Sequence, residues 1–155
     1  MGALYIIIDI DGSLEGVMSE HAEAQIVRRQ NPLMLPPSTN VMQAARHMHT
    51  QNVSAVLVTE GDARLVGIFT ERDAISRVLA AGRDPVATTL ADVMTNNPET
   101  ITPQTTATEV LRLMQDARVR HLPVVQDGKA VGIVSRNDFA ALASADPPAR
   151  PASSL

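Results

Sequence analysis

The sequence contains no cysteine and no tryptophan, and aromatic residues make up only 2% of its 155 residues. The lack of cysteine excludes disulfides, thiolate metal sites and a cysteine nucleophile. Hydrophobic residues nevertheless make up 45% of the chain. A core must therefore be built from aliphatic side chains and from methionine, whose flexible thioether fills irregular spaces.

Long apolar runs and clusters of basic residues are also missing. No apolar run reaches the roughly 18 residues that a membrane span needs, and the N-terminus lacks the basic start of a signal peptide. We therefore expect a cytoplasmic protein without a membrane partner. The 13 lysines and arginines are scattered and the formal net charge is −4. Because binding to nucleic acid needs clustered positive charge, we expect no nucleic-acid partner.

What the chain does contain is an internal repeat: residues 31–74 resemble residues 97–139 at an offset of about 66 residues. The second copy is one residue shorter, in the turn near Gly128. A fixed period indicates one supersecondary unit per copy. Equivalent residues include Pro32 and Pro98, Pro37 and Pro103, Met48 and Met114, Val53 and Val119, Gly67 and Gly132, and Asp73 and Asp138.

Each copy predicts the order β-α-β-β-α. After Asn-Pro, a short extended piece (33–35 or 99–101) precedes a helix with apolar residues at helical spacing. Two β-rich runs across a glycine-bearing turn then predict a hairpin, and Thr70 and Ser135 are predicted N-caps of the closing helices. The predicted apolar stripes are Val41, Ala44, Ala45 and Met48, and Ala107, Val110, Leu111 and Met114. The predicted hairpin strands are 53–59 with 65–69, and 122–125 with 130–134.

One such unit is too small to bury its own sheet well. We therefore predict an α/β fold in which two β-α-β-β-α repeats pack sheet to sheet about an approximate twofold axis, leaving clefts between them. The predicted organisation is an N-terminal extension (1–18), a first domain (19–85), a second domain (86–144) and a tail (145–155). Because the tail is rich in proline, alanine and serine, we expect it to be disordered.

The repeat resembles the CBS domain family and its paired form, the Bateman module. The resemblance rests on the strings GIFTERD and GIVSRND, on VRHLPVV in the second copy and on the two Asn-Pro lead-ins, and it covers about residues 24–142. It implies a regulatory module without catalytic activity. The implied ligand is an adenosine compound (AMP, ADP, ATP or S-adenosylmethionine) in the clefts between the domains, and the implied assembly is a homodimer formed through the helices.

The resemblance also implies roles for particular residues. Asp73 and Asp138 would accept hydrogen bonds from the ribose hydroxyls of separate nucleotides, which suits an acceptor-only carboxylate. Thr70 and Ser135 would contact ribose or phosphate from a helix start, where free N–H groups favour anions. The remaining implied contacts are backbone contacts to adenine around Met34-Leu35 and Thr100-Ile101, apolar contacts to the base from Val53 and Ile68, and phosphate contacts from Arg120 and His121.

The two copies differ at the basic pair. The first copy has Ser54-Ala55 where the second has Arg120-His121, and Arg72 is a candidate partial substitute. Arginine can hold a phosphate with two parallel hydrogen bonds. We therefore expect one stronger and one weaker site.

Other interpretations remain open at this point. A structural or interaction module without a ligand is one, since few aromatic residues are available to stack on a base. A phosphotransferase using Asp9 and Asp11 is another, because 5–13 resembles the first motif of haloacid dehalogenase-like enzymes, in which paired carboxylates bind magnesium and attack phosphoryl groups. Only about 20 residues precede the repeat, however. His47 and His49 lie two apart on a predicted helix and so do not face one metal ion.

Overall fold

A computed structural model of the chain describes residues 31–136. The first repeat shows the predicted β-α-β-β-α order. In the second repeat the helix and the hairpin follow as predicted, but the extended piece predicted at 99–101 is only a single parallel bridge from Ile101 to Val124. The predicted N-terminal extension, the tail and the closing helix of the second repeat beyond residue 136 lie outside the described residues. The elements are β1 (Met34–Leu35), α1 (Val41–Gln51), β2 (Ala55–Glu60), β3 (Arg64–Thr70), α2 (Glu71–Asp73), which continues as a π-helix (Ala74–Leu79), α3 (Leu90–Val93), β4 (Thr95–Asn96), α4 (Ala107–Ala117), β5 (His121–Gln126) and β6 (Lys129–Ser135).

The helices α1 and α4 begin and end in the same way. α1 begins at Asn40, whose side chain accepts a hydrogen bond from the N–H of Gln43, and it ends at Asn52 in the left-handed conformation. α4 begins at Thr106 with the equivalent bond and ends at Arg118, also left-handed. N-cap side chains satisfy donors that the first helical turn leaves free. The predicted apolar faces are buried in each helix, except that Ala45 is exposed and Leu111 is partly buried.

The two hairpins confirm the one-residue difference between the copies. The turn between β2 and β3 occupies 61–63, whereas the turn between β5 and β6 is only Asp127-Gly128. Both residues of the shorter turn have positive φ, 54° and 80°. That is the type I′ geometry which matches the twist of paired strands, and Asp-Gly is a preferred sequence for it.

The helix-facing sides of the strands form two clusters, one beside α1 and one beside α4. The first cluster also includes Leu90 and Val93 of α3, which precedes the second repeat. Side chains on the other side of the strands form a third cluster, in which Ala55, Leu57 and Ile68 of the first repeat meet Ala130 of the second. Alternate residues of a strand point to opposite faces, so β2 presents Val56 to its own helix and Leu57 to the other repeat. This arrangement confirms the predicted packing between the repeats.

One residue pair also joins the strands into a continuous sheet. Arg64 of β3 lies opposite Lys129 of β6 in antiparallel register, and the six strands follow the order β1-β2-β3-β6-β5 with β4 on β3. Arg64 and Lys129 are equivalent positions of the two repeats. A twofold axis brings equivalent residues together in this way, so the pair marks the axis of the module.

Gly67 lets β4 approach β3 closely. A Cβ atom at this position would lie 2.5 Å from the sulfur of Met94 and 2.9 Å from the backbone oxygen of Thr95. Those distances are shorter than van der Waals contact. Gly67 thus permits the segment that leads into the second repeat to pack onto the first. No helix within residues 31–136 has the length and apolar character needed to cross a bilayer.

Candidate functional site

A cleft of about 990 Å³ lies where the two repeats meet. The first repeat contributes the end of β3 and the start of α2, and the second contributes the end of α4 and the start of β5. The segment that leads into the second repeat, around 95–99, also borders it. Seven of the sequence-predicted site residues lie on this cleft: Ile68, Thr70, Arg72, Asp73, Arg120, His121 and Ser135.

Asp73 is held by a capping box at the start of α2. The N–H of Thr70 donates to Asp73 Oδ2 at 2.9 Å and the Thr70 hydroxyl donates to the same oxygen at 3.2 Å. Arg77 lies one helical turn further on, with its Nε 3.6 Å from Asp73 Oδ1. A carboxylate offers about four acceptor positions. The contacts from Thr70 and Arg77 leave part of this capacity unused. The side chain of Asp73 is 14% exposed, so a ligand in the cleft can reach it.

His121 connects the repeats across the cleft. Its Nε2 lies 2.8 Å from the hydroxyl oxygen of Ser54 in a hydrogen bond. Burial lowers the pKa of His121 below its ordinary value of 6.5, the charge of Arg120 lowers this pKa further, and the charge of Asp73 raises it. Because burial and Arg120 both disfavour the charged ring, the neutral imidazole is the favoured form at neutral pH.

Permanent positive charge on the cleft comes from arginine. Within residues 31–136, none of the four guanidinium groups on the cleft takes part in a hydrogen bond or an ion pair. The arginines of the cleft are Arg72, Arg118, Arg120 and Arg136, and the carboxylates are Glu71, Asp73 and Glu99. Arginines thus outnumber carboxylates on the cleft, although the formal net charge of the whole chain is −4.

The predicted backbone contacts to adenine are not brought to this cleft. Met34 and Leu35 form β1, where Met34 is 38% exposed and Leu35 packs against the first helix-facing cluster. Thr100 is exposed. Ile101 is 3% exposed in the second cluster, and both its N–H and its C=O are hydrogen-bonded to the backbone of β5. Its backbone groups are therefore already satisfied within the sheet.

The other predicted residues are divided. Ile68 lines the cleft, whereas Val53 packs against the first helix-facing cluster and its repeat equivalent Val119 borders the cleft instead. Asp138 lies outside the described residues, so the predicted second ribose acceptor stays a prediction.

Sequence reasoning missed three residues that bear on the site. Ser54 was considered only as the absence of a basic residue, yet it bonds to His121. Arg77 was not considered, although the spacing of four residues from Asp73 on a helix is typical of an ion pair. Arg118 was not considered, although comparison of the repeats shows that it replaces Asn52.

Metal ligation has no obvious place in this part of the molecule. No group of three or more histidine, aspartate or glutamate side chains that could hold a metal ion occurs within residues 31–136. The polar side chains of the cleft include three carboxylates, five hydroxyls and four arginines, a set that suits a ligand carrying hydroxyl donors and negative charge.

Comparison with known proteins agrees with the repeat. The CBS domain family model matches residues 24–80 and 90–144. The CBS domain-containing protein CBSCBSPB3 of Arabidopsis thaliana is 38% identical over 108 residues, which is 70% of this chain and 19% of that protein. The chain therefore spans about a fifth of the length of this relative.

Solved structures share the architecture. A protein with CBS domains from Burkholderia ambifaria MC40-6 superimposes with a TM-score of 0.73 at 31% identity, covering 79% of this chain and 93% of that one. The CBS domain pair of protein MJ0100, in complex with 5′-methylthioadenosine and S-adenosyl-L-methionine, gives a TM-score of 0.70 at 25% identity, covering 77% and 95%. With two matched domains, a repeat-related sheet and these structural relatives, this chain belongs to the CBS domain family, as a pair of CBS domains.

Proposed function

We propose that the chain is a non-catalytic regulatory module that binds an adenine nucleotide, AMP, ADP or ATP, in the cleft between its repeats. S-adenosylmethionine is a further candidate, since a structural relative was solved with it. The observation that carries the proposal is that Asp73 of the first repeat and Arg120 of the second border one cleft. The two residues come from different repeats, so a ligand that contacts both bridges the repeats.

The chemistry of these two groups matches the two ends of a nucleotide. A ribose presents two neighbouring hydroxyl donors, and Asp73 retains acceptor positions beyond those used by Thr70 and Arg77. Phosphate presents anionic oxygens, and the guanidinium of Arg120 can donate two parallel hydrogen bonds to them. The apolar side chains of Ile68 and Val119 border the same space and are suited to contact a base.

A ligand that touches both repeats can act as a regulatory signal. It shifts the angle between the repeats only to the extent that it binds one arrangement more tightly than another. We expect the output to reach a separate partner protein or a homodimer formed through the helices. A homodimer, a cytoplasmic location and a second site containing Asp138 stay predictions.

Isothermal titration calorimetry with AMP, ADP, ATP and S-adenosylmethionine tests the proposal. Asp73→Asn is expected to weaken binding about tenfold or more, since it removes a charged acceptor. Asp92→Asn is the matched control, because Asp92 forms the equivalent capping box with Thr89 on α3 but does not border the cleft. Arg120→Gln is paired in the same way with Arg112→Gln on the exposed side of α4.

Failure of all four compounds to bind would favour a module without a ligand. One observation speaks for that alternative: Asp73 is already engaged by Thr70 and Arg77. The phosphotransferase hypothesis concerns Asp9 and Asp11, which lie outside the described residues. A phosphatase assay with magnesium, on the full chain and after deletion of residues 1–16, tests it separately.

A further inference from the structure

The end of α4 carries an unusual residue for its backbone conformation. Arg118 has φ 57° and ψ 42°, in the left-handed region, where α4 stops. Helices often end in this conformation, but with glycine and sometimes asparagine at that position. The first repeat follows the rule, because the equivalent Asn52 has φ 55° and ψ 49° at the end of α1.

Local structure does not account for the arginine. A positive side chain near the C-terminus of a helix is favoured by the helix dipole, but any position of the last turn offers this benefit with an ordinary backbone. Within residues 31–136, no hydrogen bond or ion pair engages the Arg118 guanidinium. Asn52 ends its helix with the same backbone hydrogen bonds as Arg118. An arginine is thus not needed to end the helix.

The position of Arg118 supplies the missing reason, since it borders the cleft. Two further arginines, Arg120 and Arg136, border the same region of the second repeat. Arg118 lies at the end of α4, two residues before Arg120, whose backbone oxygen accepts a hydrogen bond from the N–H of Arg136 at 2.8 Å. The Arg118 and Arg120 side chains therefore start from different points on the border of the cleft.

We propose that Arg118 is a specificity-determining residue that binds the outer phosphates of a nucleotide, so that the cleft prefers nucleoside di- and triphosphates to the monophosphate. The proposal rests on the proposed function and names the ligand class of that site. Several arginines around one cleft suit a chain of phosphates, whereas a single phosphate needs only one bidentate partner. An uncharged adenosine would gain nothing from Arg118.

The test is calorimetry of the full chain with adenosine, AMP, ADP and ATP for the wild type and for Arg118→Asn. Asparagine suits the left-handed backbone, so the melting temperature of the variant should equal or exceed that of the wild type. ATP and ADP affinities should fall about tenfold, as expected for loss of one charged hydrogen-bonding contact. AMP affinity should change by less than about twofold on the same reasoning.

Two further variants sharpen the result. Arg118→Lys keeps the charge and should retain a preference for ATP over AMP, while Arg112→Asn on the same helix, outside the cleft, should match the wild type. Equal loss for AMP and ATP in Arg118→Asn, or no loss for either, would overturn the role of Arg118 while leaving the proposed function intact. If none of the four compounds binds to the wild type, both the role of Arg118 and the proposed function are overturned. Inhibition of ATP binding by inorganic tripolyphosphate should be weaker in Arg118→Asn than in the wild type, and equal inhibition would contradict the proposal.

Discussion

The hydroxyl of Ser54 and the Nε2 of His121 lie 2.8 Å apart in a hydrogen bond between the two repeats. The two residues are separated by 67 positions in the chain. Ser54 occupies the position where the second repeat has Arg120. The serine at this departure from the repeat thus forms a contact that positions the His121 ring at the cleft.

The first prediction concerns pH. Burial lowers the pKa of His121 in the folded chain, so the unfolded chain binds more protons between that lowered pKa and 6.5. The free energy of unfolding therefore rises with pH through this window. The contribution of His121 to it is fully present above pH 6.5 and is lost as the pH falls through the lowered pKa. Chemical unfolding at several pH values should show this slope, and His121→Gln should remove its contribution.

His47 provides the control for the pH experiment, because it is exposed on α1. His47→Gln should keep the slope of the wild type. A His121→Gln protein with an unchanged slope below pH 6.5 would show that other groups dominate the pH dependence. Ser54→Ala should lower stability by about 1 kcal/mol, since it removes one hydrogen bond to a largely buried partner.

The second prediction concerns Gly67. Gly67→Ala places a Cβ atom 2.5 Å from the Met94 sulfur and 2.9 Å from the Thr95 oxygen, so we expect a loss of about 1–3 kcal/mol from overpacking. Part of the loss should be recovered in a double variant with Met94→Ala, because the thioether can be removed but the backbone oxygen of Thr95 cannot. Urea unfolding measures both effects. Equal stability of wild type and Gly67→Ala would contradict the close approach of β4.

The third prediction concerns cooperativity between the repeats. Met114 is 1% exposed in the helix-facing cluster of the second repeat, and Met114→Ala should cost about 2–5 kcal/mol through lost contacts and a cavity. Because the third cluster joins strands of both repeats, unfolding should remain a single transition at a lower denaturant concentration. Arg112→Ala, exposed on the same helix, should change stability by less than about 0.5 kcal/mol. A variant with two separate transitions would show that the repeats fold independently.

The fourth prediction separates capping from ligand binding. Thr70→Ala and Thr106→Ala each remove a side chain that caps a helix, and each should destabilise the protein by about 0.5–2 kcal/mol. Only Thr70 borders the cleft, so only Thr70→Ala should weaken nucleotide binding beyond the effect of stability. Thermal unfolding and calorimetry on both variants decide the matter, and equal affinities would assign Thr70 to capping alone.

Much of the fold was predictable because its determinants are local and occur twice. The one-residue difference near Gly128 was visible in the sequence and became a shorter hairpin turn. The predicted strands differ from the observed ones by up to two residues at their ends, since pairing across the sheet extends a strand beyond its most apolar residues. The resemblance to the CBS family predicted Thr70, Asp73 and Arg120 on a cleft, and each of them sits at a helix or strand boundary set by local sequence.

The contacts around adenine were less predictable. Whether the backbone of Ile101 is free depends on β5, which follows 20 residues later and uses both of its backbone groups. Val53 and Val119 are equivalent in sequence, yet only Val119 borders the cleft. The cleft is lined by different parts of the two repeats, so comparing their sequences does not show which of two equivalent residues borders it.

The sequence by itself determined that the protein consists of two similar units, the order of helices and strands in each, and the residues that begin and end them, because caps, turns and apolar stripes depend on neighbours a few positions apart. The tertiary structure alone decided that Arg64 meets Lys129 on the axis, that Ser54 reaches His121 and that Arg118 shares a cleft with Asp73. Those relationships join side chains more than 40 residues apart. They depend on how the sheets of the two repeats pack, which local interactions do not specify.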